Sequence, residues 1–374
     1  MSHPLTLVAV EAWPLLVPLH HPMRLASETI TAAETLLVRV VASNGLEGWG
    51  EASTAPTMTG ELLPGMVAAL RRFLAPALLA APLASPAEAA QRLHRAIRGN
   101  TGAKAAAEIA VLDLFARAAN LPLAALLGTP RRATAPAIRM VGERDPEATL
   151  AGVAAAHAQG YTQVKLKLGM AADPLADAAL AQRARAQGGP AMQLSADANM
   201  AWSRDAALGF LRAMGPGVLH YLEQPVADDD LDGMAACVAL NICPICFDEG
   251  LHAAADITTH AQRRAAQGVG LKAIKLGGLQ AALAADALAL HHGLATTHAC
   301  KIAETSVGAA AVAHLVAVLP DVSWGVSVTH GYMAADVVPT PLPVLAGLVQ
   351  IPQGPGLGVV PETALLHRLR WPEG

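Results

Sequence analysis

Residues 161–170 read YTQVKLKLGM, and Lys165 and Lys167 stand two apart in a run that otherwise reads as a buried strand. In a strand, residues two apart share a face. Lys165 and Lys167 therefore point one way, and Val164, Leu166 and Leu168 the other. An ammonium group is rarely buried without a partner. A strand that aims two of them into one space thus predicts carboxylates across from it. Taken alone, the pair equally fits a solvated edge strand, so the surrounding segments decide.

From about residue 134 onward, short β-rich runs alternate with alanine-rich helical segments. The runs are APAIRMV, TQVKLKLG, MQLSADAN, LHYLEQP, PICFDEG, GLKAIKLGG, LATTHACKIAE and VSWGVSV. Most start 23 to 31 residues after the one before, the length of a strand, a helix and two loops. Eight such units predict the α/β class and a (β/α)8 TIM-type barrel over residues 129–344. Residues 1–128 read differently. Two β-rich stretches, LTLVAVEAWPLLV and ETLLVRVVASNGLEGWGEA, carry a hairpin signal at Asn44-Gly45. Helical spacing follows in AKAAAEIAVLDLFARAA. This is an α+β domain. The tail, residues 345–374, contains GLVQIPQGPGLGVV and is expected to return as a strand to the N-terminal sheet.

Composition excludes several classes. Of 374 residues, 53% are apolar and 15% charged, which supports a large core and argues against disorder. Lys and Arg number 26 against 30 Asp and Glu, a net charge of −4. That leaves no footprint for nucleic acid and no polybasic patch for a membrane. The first residues lack a basic leader. The longest uncharged stretch, Val337–Pro361, is broken by six prolines and cannot span a bilayer as a helix. A soluble, cytoplasmic protein is expected. Cys243 and Cys246 form CPIC, but no second pair completes a metal set, so both read as small core residues.

In a barrel of this kind the active groups gather at the C-terminal ends of the strands. The last polar residues of the runs are Lys165 and Lys167, then Asp197 and Asn199, Glu223, Asp248 and Glu249, Lys272 and Lys275, and Glu304. Asp197, Glu223 and Asp248 follow one another at intervals of 26 and 25 residues, one βα unit each. Three carboxylates at one rim repel unless a hard cation sits among them, and Mg²⁺ is the natural guest. Lysines on the second and sixth strands would flank that cation. A substrate carboxylate on the cation can lose its α-proton, because the enediolate that forms is stabilised electrostatically. Beside a second ammonium and a dication, a lysine should titrate low enough to act as the base. Lys165 then tunes Lys167, and Lys272 serves the opposite face.

The ordered set KLK, DAN, EQP, DE and LKAIKLGG resembles the enolase superfamily, in its muconate-lactonizing-enzyme subgroup. GLEGWGEA and AKAAAEIAVLDLFARAANLPLAALLG resemble that subgroup's capping domain, and PQGPGLGVV its C-terminal return. The resemblance implies that Asp197, Glu223 and Asp248 are the ligands of Mg²⁺, with Mn²⁺ as the alternative. It implies Lys167 as one acid/base, with Lys165 beside it. The second base is expected 24 residues after the fifth-strand ligand, which selects Lys272 and leaves Lys275 in reserve, turned to another face as a surface lysine. Asn199 and Glu249 would support the ligands, and Glu304 would line the pocket. Loops around Met23-Arg24 and Met58 would close over the mouth.

The implied activity is α-proton abstraction from a small-molecule carboxylate, as in a muconate cycloisomerase. A racemase or epimerase of an amino-acid derivative, or a hydroxy-acid dehydratase, uses the same residues. A Schiff-base aldolase-type barrel with Lys272 as the amine is the reading from a different class. A homo-oligomer is expected, as in related barrels.

Overall fold

The computed structural model describes residues 4–24, 29–171 and 173–372. The chain opens with a meander of β1 (Leu7–Arg24), β2 (Thr29–Ala42) and β3 (Glu47–Ser53). β1 and β2 pair antiparallel from Leu7 opposite Ala42 to Arg24 opposite Thr29. The β2–β3 turn falls where Asn44-Gly45 places it, with Gly45 at φ +83°. Helices α1 (Leu63–Ala69) and α2 (Ala75–Leu79) follow, then α3 (Pro86–Ala96), α4 (Thr101–Ala118) and α5 (Ala124–Leu127).

Residues 102–116 of α4 are all buried, because this helix runs between the meander and the rest of the molecule. Its approach to β3 depends on missing side chains. A Cβ on Gly50 would lie 2.1 Å from the Ala106 carbonyl oxygen, and one on Gly48 2.2 Å from that of Ala110.

A short β4 (Thr134–Pro136) leads into the barrel. Its staves are β5 (Ile138–Val141), β6 (Gln163–Lys167), β7 (Gln193–Asp197), β8 (Leu222–Glu223), β9 (Ile245–Phe247), β10 (Gly268–Leu271), β11 (Ala295–Ala299) and β12 (Val326–Ser327). Between them run α6 (Pro146–Ala158), α7 (Pro174–Gly188), α8 (Arg204–Met214), α9 (Leu231–Ala239), α10 (Ala254–Gln262), the single turn α11 (Ala273–Leu276), α12 (Leu279–His291) and α13 (Ser306–Val318). All eight staves are parallel and lie in chain order, and a bridge from Ala137 to Val326 closes the ring. Most of their residues are buried on both faces, as expected of a parallel sheet wrapped by helices, while β5 is half-buried beyond Ile138. The register sets Lys167 beside Asp197 and Asp197 beside Glu223, so these three stand at one height.

Three expectations need correction. The seventh stave was expected to run to Glu304. It stops at Ala299, so Glu304 sits in the loop beyond it. Met23 was expected in a loop, but it pairs with Ile30 inside the long hairpin. The Arg24 side chain, expected to help close over the mouth, lies outside the described residues, as do residues 25–28. The tail was expected to add a strand to the N-terminal sheet. Instead β13 (Val344–Leu345) and β14 (Leu348–Gln350) form a small sheet with β4. The last segment, α14 (Thr363–Arg368) and the residues after it, does reach the meander: Leu369 O accepts from Leu16 N and Trp371 N donates to Pro14 O, each at 2.9 Å. No helix among the described residues is long and apolar enough to cross a membrane.

Candidate active site

The C-terminal ends of the staves enclose a chamber of about 50 Å³. Its lining includes Lys165, Lys167, Asp197, Asn199, Glu223, Asp248 and Lys272, so seven of the expected residues are brought together. The six charged ones are each at most 9% exposed. Buried charge on this scale survives only through pairing, and the pairing is specific. Lys165 Nζ binds Glu223, and Lys167 Nζ reaches Asp197 Oδ2 at 2.6 Å and Asn199 Oδ1 at 3.1 Å. Lys272 Nζ binds Asp248 across the fifth and sixth staves. β6 and β10 lie four staves apart in a ring of eight, which sets Lys167 and Lys272 on opposite sides of the chamber.

Asn199 lines the chamber, whereas Glu249 does not. Asn199 Nδ2 donates to Glu249 Oε1 at 2.9 Å, while Asn199 N donates to Asp197 Oδ1 at 2.9 Å. Asn199 holds φ +44° to do both, a left-handed conformation that asparagine tolerates.

Lys275 departs from its expected place on a different face. Strand alternation would turn it away from Lys272, but the chain enters α11 right after Lys272. Helical spacing brings a residue three positions on back to the same side. Lys275 is only 4% exposed, and its Nζ binds the Asp248 carbonyl and lies 3.1 Å from Asp248 Oδ1.

Glu304 lies off the chamber lining. Its Oε1 accepts from Ser53 N at 3.3 Å, and beside it Glu51 accepts from Thr305 N and Gly308 N, so the two acids stitch β3 to the loop after β11. Met58 does line the chamber. His298 lies within β11 and pairs with Asp286 at 3.0 Å, away from the mouth.

The charges act on one another. Burial pulls Lys165 down, but the fields of Glu223 and its neighbours outweigh that and hold it well above the usual lysine range. Lys272 is likewise raised, since Asp248 overcomes its burial. Lys275 is lowered, by burial and by the like charge of Lys272. Burial raises Glu223, and the negative charges of Asp197 and Asp248 add to the rise despite Lys165. Asp248 falls well below the carboxylate range because Lys272 and Lys275 outweigh its burial. Glu249 is pushed up to about 7 by burial and by Asp248.

Among the described residues, no three acidic, imidazole or thiol groups converge as a ready metal cage. Each of the three acids is drawn instead to an ammonium. The donor set still fits a hard divalent ion. Three carboxylates from three adjacent staves face one chamber, and the field of two of them reaches the third. An ion among them would relieve that repulsion and release the lysines.

Sequence reasoning missed three participants. Gln224, fully buried at φ +36°, accepts from Asp248 N at 2.9 Å and Gly250 N at 3.2 Å, fixing the fifth stave to the fourth. The EQP motif pointed to its position without its role. Tyr221 lies beneath Lys165, whose Nζ is 5.4 Å from the ring centroid, and stacks on Trp324 at 4.3 Å as a floor. Lys301, read as part of a strand, also lines the chamber.

Two family descriptions match the chain: "Mandelate racemase / muconate lactonizing enzyme, N-terminal domain" over residues 8–128 and "Enolase C-terminal domain-like" over 148–365. The chain is 30% identical to the L-Ala-D/L-Glu epimerase of Bacillus subtilis, covering 95% of this chain and 96% of that one. It is 31% identical to muconate cycloisomerase 1 of Rhodococcus opacus, over 95% and 96%. The crystal structure of the Pseudomonas fluorescens muconate lactonizing enzyme, complexed with muconolactone, superposes with a TM-score of 0.93 at 26% identity. That superposition covers 99% of this chain and 100% of that one.

Proposed function

From the premise that this chain belongs to the mandelate racemase/muconate lactonizing enzyme family of the enolase superfamily, and so is an isomerase like its relatives, we propose that it moves the proton α to a substrate carboxylate. The observation that carries this is the placement of Lys167 and Lys272 on opposite sides of one buried chamber. A carbon acid held between two amines can lose a proton to one and regain it from the other.

On this reading a divalent ion would be held by Asp197, Glu223 and Asp248. Removal of the α-proton leaves an enediolate, and the ion, Mg²⁺ or Mn²⁺, supplies electrostatic stabilisation of that charge when bound. Lys167, released from Asp197, is the base on one face, aimed by its bond to Asn199. Lys165 stays on Glu223 and keeps positive charge beside it. Lys272 delivers or removes the proton on the far face, and Lys275 holds Asp248 while Lys272 works. Burial of all these groups keeps bulk water away from the developing charge. Residues 1–128 and 345–374 would act together as the cap on the barrel of residues 129–344.

Two amines support racemisation or epimerisation as the outcome. Cycloisomerisation is the second reading, favoured by the 0.93 superposition on a lactonizing enzyme. It needs a single proton transfer, with the second lysine as a neutralising charge.

The test is proton exchange in D₂O followed by NMR, with N-acyl amino acids and cis,cis-muconate offered in turn. Deuterium entering the α-position with inversion supports the first outcome, and lactone formation the second. EDTA should stop either, and added Mg²⁺ restore it. Exchange that survives EDTA, together with a borohydride-trapped lysine adduct, would sink the proposal in favour of Schiff-base chemistry.

A further inference from the structure

The chamber alone is too small for a substrate. At about 50 Å³ it falls well short of the roughly 300–1,000 Å³ of small-molecule sites. A bound acid must therefore extend into a neighbouring cavity. One, of about 270 Å³, meets the chamber at Lys301 and Ile302, and neither Lys167 nor Lys272 lines it. Another, of about 370 Å³, shares Met140 and Lys167 with the chamber. A molecule whose α-carbon stands at Lys167 runs directly into this larger space.

The larger cavity crosses the barrel wall. Met140 pairs with Lys165, so both face inward, whereas Arg139 pairs with Val164, which packs in the outer layer. Inward-facing Met140 and Lys167 and outward-facing Arg139 and Val141 all line the one space, with α6 along its outer side and His20, His21 and Met23 of the hairpin closing it from the cap. Two local features let it through. Between β12 and β5 the described residues form one backbone bridge, Ala137 to Val326, and farther along the Met140 amide donates instead to Tyr332 Oη at 2.9 Å. The wall at that point is a side chain, not a ladder. β5 then ends at Val141, and Gly142 passes the base so closely that a Cβ on it would lie 2.5 Å from Lys167 Cβ.

Resting on the α-proton reading, we propose that Arg139 receives a second carboxylate at the far end of the substrate, where the cavity passes the seam between the first and eighth staves. The guanidinium is already placed: its central carbon lies 4.9 Å from the Tyr332 ring centroid. A guanidinium stacked on a ring keeps its N–H fork free at the edge, the geometry that meets a carboxylate through two parallel hydrogen bonds. A group held in this way is ordered before the ligand arrives, so less entropy is lost on binding. Glu143 is the one carboxylate among the described residues of the lining, and it forms no ion pair with Arg139. The other titratable groups facing the space are His20, His21, Tyr332 and Lys167, the last held to Asp197 at 2.6 Å. An incoming carboxylate thus meets a fork that no described acid of the lining occupies.

The experiment is isothermal titration of the Mg²⁺-supplemented protein with matched acids. The pairs are N-succinyl- against N-succinamoyl-phenylalanine, and L-Ala-L-Glu against L-Ala-L-Gln, each exchanging one carboxylate for an amide of the same shape. The wild type should bind at least one diacid tenfold or more tighter than its amide. R139Q should erase that gap without weakening the amide. A155F, which narrows the cavity from an exposed position on α6, should weaken diacid and amide together. Equal binding of the twins by the wild type, a gap that persists in R139Q, or a diacid affinity untouched by A155F overturns the assignment. Thermal melting of both variants confirms folded protein. Failure of the α-proton reading shows separately, as absence of deuterium wash-in, and leaves the binding gap unchanged.

Discussion

At the scale of single residues, the site is a set of ion pairs, and each residue's role follows from which partner it can exchange. Lys167→Ala removes the amine that shares Asp197 and Asn199. Loss of a positioned acid/base group costs on the order of 10²–10⁴ in rate. The expected result is deuterium exchange slowed by that range while the titrated affinity for Mg²⁺ is kept. Gln224→Ala is a different case, because it strips the acceptor from Asp248 N and Gly250 N in a fully buried place. Leaving buried donors unsatisfied costs about 1–3 kcal/mol. A lowered melting temperature with weakened metal binding is expected, since the Asp248 backbone loses its brace.

At the scale of elements, the fold was legible where periodicity is strong. The eight β-rich runs were readable because each is bounded by helical segments of alternating character, and their acidic or basic ends marked the chamber. Lys275 was misplaced because its position depends on where a strand becomes a helix, a boundary that two-residue alternation cannot show. Glu304 was misplaced for the same reason: the apolar residues between Ala299 and Glu304 continue a strand-like composition after the backbone has left the sheet. Lys301 lies in that same run and carried no local signal. The cap's packing rests on features the sequence shows only as glycines. Gly50→Ala would drive a methyl group against Ala106 O and, at 2.5 Å, Ala110 N, so α4 must lift from β3. Overpacking of this kind costs about 1–3 kcal/mol or more. Gly65→Ala, within α1 and with open space around it, should instead hold or gain about 0.5–1 kcal/mol. Paired melting curves of the two variants check the contrast.

At the scale of the whole molecule, cap and barrel are joined by two buried acids. Burial and the neighbouring Glu51 push Glu304 up to about 8 from its usual 4.5. The folded protein therefore holds a proton on Glu304 between those values that the unfolded chain gives up. Stability from this group is complete below about pH 4.5, falls as pH rises, and is exhausted past about pH 8. Glu304→Gln should flatten the decline in melting temperature between pH 5 and 8, read by calorimetry against the wild type. An unchanged slope would mean that other raised acids, such as Glu108 at about 7, carry the dependence.

The tail fastens both halves of the protein: β14 lies along β4 beside the seam of the ring, and the segment after α14 holds β1. During synthesis this stretch leaves the ribosome after all eight staves. The nascent chain can wind its staves in order from the N-terminal side, but the latch follows all eight of them, so a chain cut before β13 would yield a ring with no clasp.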